Sequence, residues 1–398
     1  MELAEDNAWL EQLDAFLSRR NQTWLLGAGA SYEANLPLMN PLTEIVLEQI
    51  KDSKLEPLIQ SLRNDIADDA HIEHLLSHLG DHYALAERKK SQNATIGGNE
   101  YTLSELDEAH ALILKHIRDT ILLGCQQQEE DASWEIGDKG SSIVDVTPYR
   151  NFVSALLNTR RAGVEGRRPA IKLFTTNYDT LIEDSLAWER FKYWDGFSGG
   201  AVAYRSHHFG HKESEFEDRY DALISKLHGS IDWHVGDNGT VYRVRSNDPF
   251  PGSERKVMIY PQATKYVATQ RDPFAAQFEM FRRSLNETKE CVLGICGYSF
   301  GDEHINDEIE LAMSRSENDT TVLAFVLEGE SGLPQILEEW RSSDWGKRLF
   351  IMTEKGLYVG DKGPMCQPEE GRELSWWTFS GLTALLENGP GYLQNDGL

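Results

Sequence analysis

The chain is short of cysteine. Its 398 residues hold four, Cys125, Cys291, Cys296 and Cys366, too few and too scattered for a disulfide framework, which points to reduced thiols. It has no apolar run long enough to span a bilayer. Residues Met1 to Asp6 are acidic and lack the basic and apolar regions of a signal peptide. These absences lead to the expectation of a cytoplasmic protein with no membrane association. Positive charge is scarce as well. Against 65 Asp and Glu stand 39 Lys and Arg, for a formal net charge of −26. Such a surface repels nucleic acid on average, so direct nucleic-acid binding is not expected. There is no internal repeat.

What is present is a hydrophobic fraction of 40%, enough for a sizeable core, in a length that allows one large domain or two to three smaller ones. Three short motifs each follow a strand-like apolar run. Trp24-Leu25-Leu26 leads into the turn Gly27-Ala28-Gly29-Ala30-Ser31, Ile171 to Phe174 into Thr175-Thr176-Asn177-Tyr178-Asp179, and Leu223 to Leu227 into His228-Gly229-Ser230. A fourth, Gly297-Tyr298-Ser299-Phe300-Gly301-Asp302, follows the most apolar run, Cys291 to Cys296. Strand ends are where open α/β sheets bind ligands.

Each motif has a binding reading and a plainer one. Without a Cβ, Gly27 and Gly29 let a pyrophosphate approach the backbone, and the helix start at Ser31 favours an anion; the same turn also serves as a simple strand-to-helix connection. Asn177 offers a donor and an acceptor to a ribose hydroxyl or a water, whereas an Asn/Asp turn capping a helix from Thr180 is the alternative. His228 suits a general base near neutral pH or a structural role. Gly297 permits close approach and Ser299 suits a phosphate or ribose oxygen. Asp302 and Asn306 are candidates for the adenosine side, and Asp302 also for a helix cap.

Periodicity organises the rest. Helices are expected over residues 7–20, 41–51, 151–159, 180–188, 273–287, 303–315 and 333–340, and from Trp376 to Leu386. Strands are expected over 23–26, 170–175, 223–227, 256–260, 290–298, 321–327 and 347–352, with a hairpin at 240–244. Leucine and isoleucine stripes between Leu58 and Ile121, broken at 91–100 and 126–142, read as a mostly helical insertion. The expected fold is α/β, a Rossmann-like parallel sheet with that insertion. It divides into 1–54 with 150–330, an inserted 55–149, and a C-terminal α/β extension over 331–398.

In the order of these four motifs the chain resembles the sirtuin-like superfamily, over about half its length. The resemblance implies NAD as substrate. It implies that Asn177 orients the ribose or an attacking water and that His228 takes a proton from a ribose hydroxyl or activates the nucleophile. It further implies that Asp179 holds the nicotinamide amide. The implied binding set is Gly27, Ala28, Gly29, Ser31, Asp179, Ser230, Gly297, Ser299 and Asp302, with Asn177 and His228 catalytic.

Two departures narrow the resemblance. Deacylases of the family carry two Cys-x-x-Cys pairs between the histidine motif and the later glycine motif; here that interval holds only Cys291 and Cys296. A structural zinc needs four ligands, so no zinc is expected. The Asp-Phe-Arg of deacylases is replaced by Leu36-Pro37-Leu38-Met39-Asn40. The pattern is similar to the bacterial anti-phage branch, which implies an NAD+ hydrolase working as a homo-oligomer, in some cases with a HerA-type ATPase or an Argonaute. A deacylase, an ADP-ribosyltransferase or a non-catalytic NAD or ADP-ribose sensor are the other readings. His71, His74, His78 and His82 share one helical face, and His207, His208 and His211 lie in a polar segment. Both clusters read as solvated surface or subunit contact in preference to metal ligands.

Overall fold

The computed structural model describes residues 2–128, 133–160, 169–206, 219–236, 240–245, 256–259, 273–286, 290–330 and 332–394. The cluster His207, His208 and His211 therefore lies outside the described residues. Helix α1 (Glu2–Leu17) leads into β1 (Asn21–Leu26), α2 (Ala28–Tyr32), α3 (Met39–Ile50), α4 (Glu56–Asn64) and α5 (Ile72–Arg88). A hairpin of β2 (Asn93–Ile96) and β3 (Asn99–Thr102) precedes α6 (Leu103–Leu123). A second, β4 (Cys125–Gln127) with β5 (Trp134–Ile136), precedes α7 (Thr147–Ser154). Both breaks between the leucine stripes are thus small hairpins. The first hands over to α6 through a capping box: Thr102 Oγ1 accepts from the Glu105 N–H, and Glu105 Oε2 accepts from the Thr102 N–H at 2.8 Å.

The α/β pattern resumes with β6 (Ile171–Thr175), α8 (Leu181–Trp188), β7 (Tyr193–Trp194), β8 (Phe197–Gly199), β9 (Val202–Arg205), β10 (Ala222–Lys226), β11 (Gly229–Val235), β12 (Val241–Val244) and β13 (Lys256–Ile259). Strands β14 (Cys291–Cys296) and β15 (Thr321–Phe325) alternate with helices Phe274–Leu285, Glu303–Met313 and Gln335–Arg341. Strands β16 (Leu349–Thr353), β17 (Gly356–Val359) and β18 (Lys362–Met365) follow, and then helix Phe379–Asn388.

Nine strands form one sheet in the order β18-β17-β16-β15-β14-β1-β6-β10-β7. From β16 across to β7 every neighbouring pair is parallel, and β17 is antiparallel to both its neighbours. A parallel sheet is covered on both faces, so its strands are apolar throughout; β14 and β15 are buried at every position. Alternation still sorts the side chains. Trp24, Leu26, Leu173 and Phe325 pack in one core, and Leu25, Phe174, Ile295 and Ala324 in the core of the opposite face. The Trp24 indole fills the space over Gly294, where a Cβ would lie 2.4 Å from the ring. This is the Rossmann-like α/β arrangement that the motif order leads one to expect. Strands β7, β8, β9, β11, β17 and β18 are not expected from the sequence; in the antiparallel second sheet β13-β11-β12-β9-β8 only β13, at the strand expected over 256–260, and β12, at the hairpin expected over 240–244, are.

The register positions the site. Lys226 pairs with Thr175, Thr175 with Leu26, Leu26 with Cys296 and Cys296 with Phe325. The last residues of five parallel strands therefore stand in one row, and all four motifs leave the sheet at the same level. Chain order reverses at β1, which lies between β14 and β6, so this row spans the switch point where open α/β sheets form a crevice.

Candidate active site

Asn177, Ser31, Asp179 and Tyr149 form a buried hydrogen-bond network at the ends of β1 and β6. Ser31 Oγ donates to Asp179 Oδ2 at 2.8 Å. Its single proton is then spent, so it accepts from the Tyr149 hydroxyl at 2.8 Å and from Asn177 Nδ2 at 2.9 Å. Asn177 Nδ2 also donates to the Gly27 carbonyl at 2.9 Å. Both hydrogens of the amide are thereby committed. Asn177 Oδ1 is buried and has no hydrogen-bond partner among the described residues. Leaving such an acceptor unsatisfied costs about 1–3 kcal/mol, and groups of this kind call for a functional account.

Asp179 holds this arrangement in place. Its Oδ1 accepts from the N–H of Leu181, the first residue of α8, at 3.0 Å, while Oδ2 takes the Ser31 hydroxyl. Burial raises the pKa of its carboxyl above the usual range, and Lys226, the Leu181 N–H and Ser31 pull it back. Lys226 is itself buried; Nζ donates to the Asp179 carbonyl and lies 3.5 Å from Glu183 Oε1. The turn thus meets the start of α8 through Asp179, one residue before the N-cap Thr180, whereas Asn177 turns inward. Each carboxylate oxygen keeps a second lone pair.

His228 follows β10 and is buried. Its Nε2 lies 4.0 Å from Asp302 Oδ2, and its ring is 5.8 Å, centroid to centroid, from His304 at a 28° interplanar angle. Asp302 occupies the N-cap position of helix Glu303–Met313, yet its side chain makes no capping hydrogen bond; it faces the histidine. A carboxylate beside an imidazole stabilises the protonated ring, which is the arrangement a general base needs after taking a proton.

The two glycine turns pack against each other. The Gly27 N–H donates to Cys296 O at 3.0 Å, Gly29 N–H to Gly297 O at 2.8 Å and Ala30 N–H to Gly27 O at 3.0 Å. A Cβ on Gly27 would lie 2.4 Å from Gly297 O, and one on Gly297 (φ 65°) 2.1 Å from Ala30 N. Close approach of backbone is the reason for glycine here, as the sequence suggests, but the approaching group is the neighbouring turn. Donors at Gly27 and Gly29 are committed within the protein, and α2, at five residues, is too short to build much of a dipole.

A cavity of about 1320 Å³ lies over this row of strand ends. Asn177, His228, Ala28, Gly29, Ser31 and Asp179 line it, as do Gly297, Ser299 and Asp302. Two residues of the expected binding set do not. Gly27 sits beneath the turn, and Ser230 is fully buried behind it, its Oγ donating to the Tyr178 carbonyl at 3.3 Å. Asn306 is also withdrawn; its Nδ2 donates to Phe300 O at 2.7 Å and its Oδ1 accepts from the Tyr298 hydroxyl. It braces a loop in which Phe300 takes φ 59°, an uncommon value for a bulky residue.

The helical insertion contributes part of the wall. His71, Glu73 and His74, from the start of α5, line the cavity, and buried Glu73 accepts a 2.5 Å hydrogen bond from the Tyr178 hydroxyl through Oε1. His71 and His74 cap α5: His71 Nδ1 accepts from the Glu73 N–H and His74 Nδ1 from the His71 N–H. The four-histidine stripe is therefore divided, with His78 and His82 farther along the helix. Among the described lining residues are Glu33, Glu73, Asp179, Asp302, Glu303 and Asp307, and no lysine or arginine. Cys296 lines the cavity too, but burial pushes its thiol pKa far up, so it is no ready nucleophile.

Tyr149, Lys226, Glu73 and His304 were not singled out from the sequence. Tyr149 reads as an ordinary core aromatic in an amphipathic helix. Glu73 is hidden among the histidines, and His304 adjoins Asp302 without a motif of its own. Lys226 did carry a signal: a lysine inside a continuous apolar strand needs a buried partner.

A crevice at the switch point of a Rossmann-like sheet thus carries an oriented amide, a histidine and carboxylates. Residues 172–348 match the family model described as a SIR2-like domain. That match supports a sirtuin-like family, whose domains take NAD as substrate, and hence NAD-related activity. Among curated proteins, no sequence matches the chain. Among the described residues, no helix is long and apolar enough to cross a membrane.

Proposed function

We propose that the protein is an NAD+ glycohydrolase that cleaves the bond between nicotinamide and ribose. The observation that carries this reading is Asn177, whose amide is fixed by Gly27 and Ser31 with Oδ1 unmatched among the described residues, in the cavity that also holds His228. Scission develops positive charge at the ribose carbon. The carboxylates among the described lining residues, which include no lysine or arginine, favour that charge electrostatically. Asn177 positions the ribose or the attacking water, and His228, backed by Asp302, takes the proton. Little covalent chemistry is needed beyond holding the ribose, releasing nicotinamide and admitting water.

Unchecked NAD+ cleavage would empty a cell of NAD. The proposal therefore includes a cytoplasmic role in bacterial anti-phage defence, with activity controlled by self-assembly or by a partner such as a HerA-type ATPase. Tyr32, Leu38 and Leu327 support control by assembly: they are exposed apolar side chains and all three line the cavity. The test is incubation of purified protein with NAD+, alone and with its genomic neighbour, and identification of products by chromatography. Nicotinamide and ADP-ribose in equal amounts are expected, and none from His228→Ala. Consumption of NAD+ only in the presence of an acyl-lysine peptide or another acceptor would replace hydrolysis with deacylation or ADP-ribosyl transfer. Binding without turnover under every condition would make the protein a sensor.

A further inference from the structure

His78 and His82 are one turn apart on α5, so their side chains leave the helix on the same face. Their rings are 4.7 Å apart, centroid to centroid, and nearly perpendicular at 83°. Asp65, the residue that ends α4, reaches over from the neighbouring helix, its Oδ2 3.9 Å from His78 Nε2. That is longer than a hydrogen bond, and His78 Nε2 is buried with no hydrogen-bond partner among the described residues. One ligand atom from each of the three residues lies within 4.8 Å of the others.

Against the expectation of no zinc and of a solvated histidine face, we propose that Asp65, His78 and His82 form a binding site for a zinc-class divalent cation that ties α4 to α5. Two imidazoles and one carboxylate match the ligand preference of zinc. With Zn–N and Zn–O bonds of about 2.0–2.2 Å, tetrahedral donors stand roughly 3.4 Å apart. Rotation of partly exposed side chains brings the three residues to that spacing. A hard ion such as magnesium or calcium prefers an oxygen set and is disfavoured. Water completes the fourth position. An ion here fixes the helix whose first turn supplies His71, Glu73 and His74 to the cavity, although it stands apart from the reacting residues. The site is independent of the proposed NAD+ chemistry.

The test is calorimetric titration of chelator-stripped full-length protein with ZnCl2, comparing wild type with His82→Ala and Asp65→Asn. Wild type is expected to take up one zinc equivalent more than His82→Ala. Asp65→Asn should weaken that uptake by about tenfold or more, the scale on which even supporting residues alter metal affinity. Zinc should raise the Tm of wild type by more than that of His82→Ala. Zinc held elsewhere, by His207, His208 and His211 or beside His228, is common to all three proteins and cancels. Circular dichroism of the metal-free forms reports folding, and Asp65→Asn gives the same reading should His82→Ala misfold. Equal uptake by wild type and the folded variants, or an equal Tm shift with and without His82, overturns the proposal.

Discussion

Gly29 donates its amide to the carbonyl of Gly297 at 2.8 Å, so the two glycine turns of this protein are bonded to each other. Both follow strands whose last residues, Leu26 and Cys296, are register partners. A side chain at either turn would push the neighbouring backbone away. Gly297→Ala is therefore expected to lose at least about 2 kcal/mol of stability, from a left-handed φ and an overlap with Ala30. Chemical denaturation measures it. A loss under about 0.5 kcal/mol, the range of ordinary surface substitutions, would show that the turns part easily.

Asn177→Ala is expected to remove turnover more completely than binding. Loss of one positioned polar group costs on the order of 10²–10³ in rate, while adenine and the phosphates retain much of the ligand affinity. Calorimetry with ADP-ribose, set beside nicotinamide release from NAD+, separates the two. Equal losses in both would make Asn177 a ground-state binding residue.

His228→Ala should abolish NAD+ cleavage in a protein that still folds. Asp302→Asn should keep the fold and lower kcat with a smaller change in KM, because the carboxylate beside His228 acts on the charge the ring acquires. Normal turnover by a folded His228→Ala protein would remove the histidine from the mechanism.

Tyr178→Phe should cost about 1–3 kcal/mol, since it takes away the hydrogen bond between the Asn/Asp turn and Glu73 of the insertion. A double-mutant cycle with Glu73→Gln measures the coupling. Additive effects of the two changes would mean that the insertion leans on the turn without a specific tie.

Stability should respond to pH through Asp179. Its pKa is raised in the folded protein, first by burial, so the folded state binds the proton more tightly than the unfolded chain. This contribution is complete below the unfolded carboxylate value and is lost as pH rises through the folded one. Denaturation of wild type and Asp179→Asn from about pH 3 to 7 should show the gap between them changing over that window only. A constant gap would place the raised proton affinity elsewhere, Asp232 being another buried carboxyl raised in the same way.

Much of the sheet was legible because a parallel strand covered on both faces must be apolar along its whole length, and Cys291 to Cys296 or Thr321 to Phe325 can be little else. The hairpins β2–β3 and β4–β5 were not. Their strands are three or four residues long, too short to establish a period of two. Strands β17 and β18 escaped notice because edge strands with glycine and proline, as in Lys362-Gly363-Pro364-Met365, lack a strand's composition and owe their form to the neighbour they pair with.

The candidate site divides in the same way. Local chemistry marks Asn177, Asp179, His228 and the glycine turns, because each must sit where an apolar strand stops and a polar turn begins. Local chemistry does not reveal that Asn177 is oriented by Ser31 and Tyr149, that Asp302 turns from its helix to His228, or that Glu73 arrives from the insertion. Nor does it show that Ser230 and Asn306 brace backbone away from the cavity. Hydrogen-bond partners of that kind lie far apart along the chain, 146 residues for Asn177 and Ser31 and 105 for Tyr178 and Glu73. Patterning along the chain decides which segments are strands and where they end. Which side chains meet above those ends depends on strand order and register, and these arise only when the whole sheet assembles.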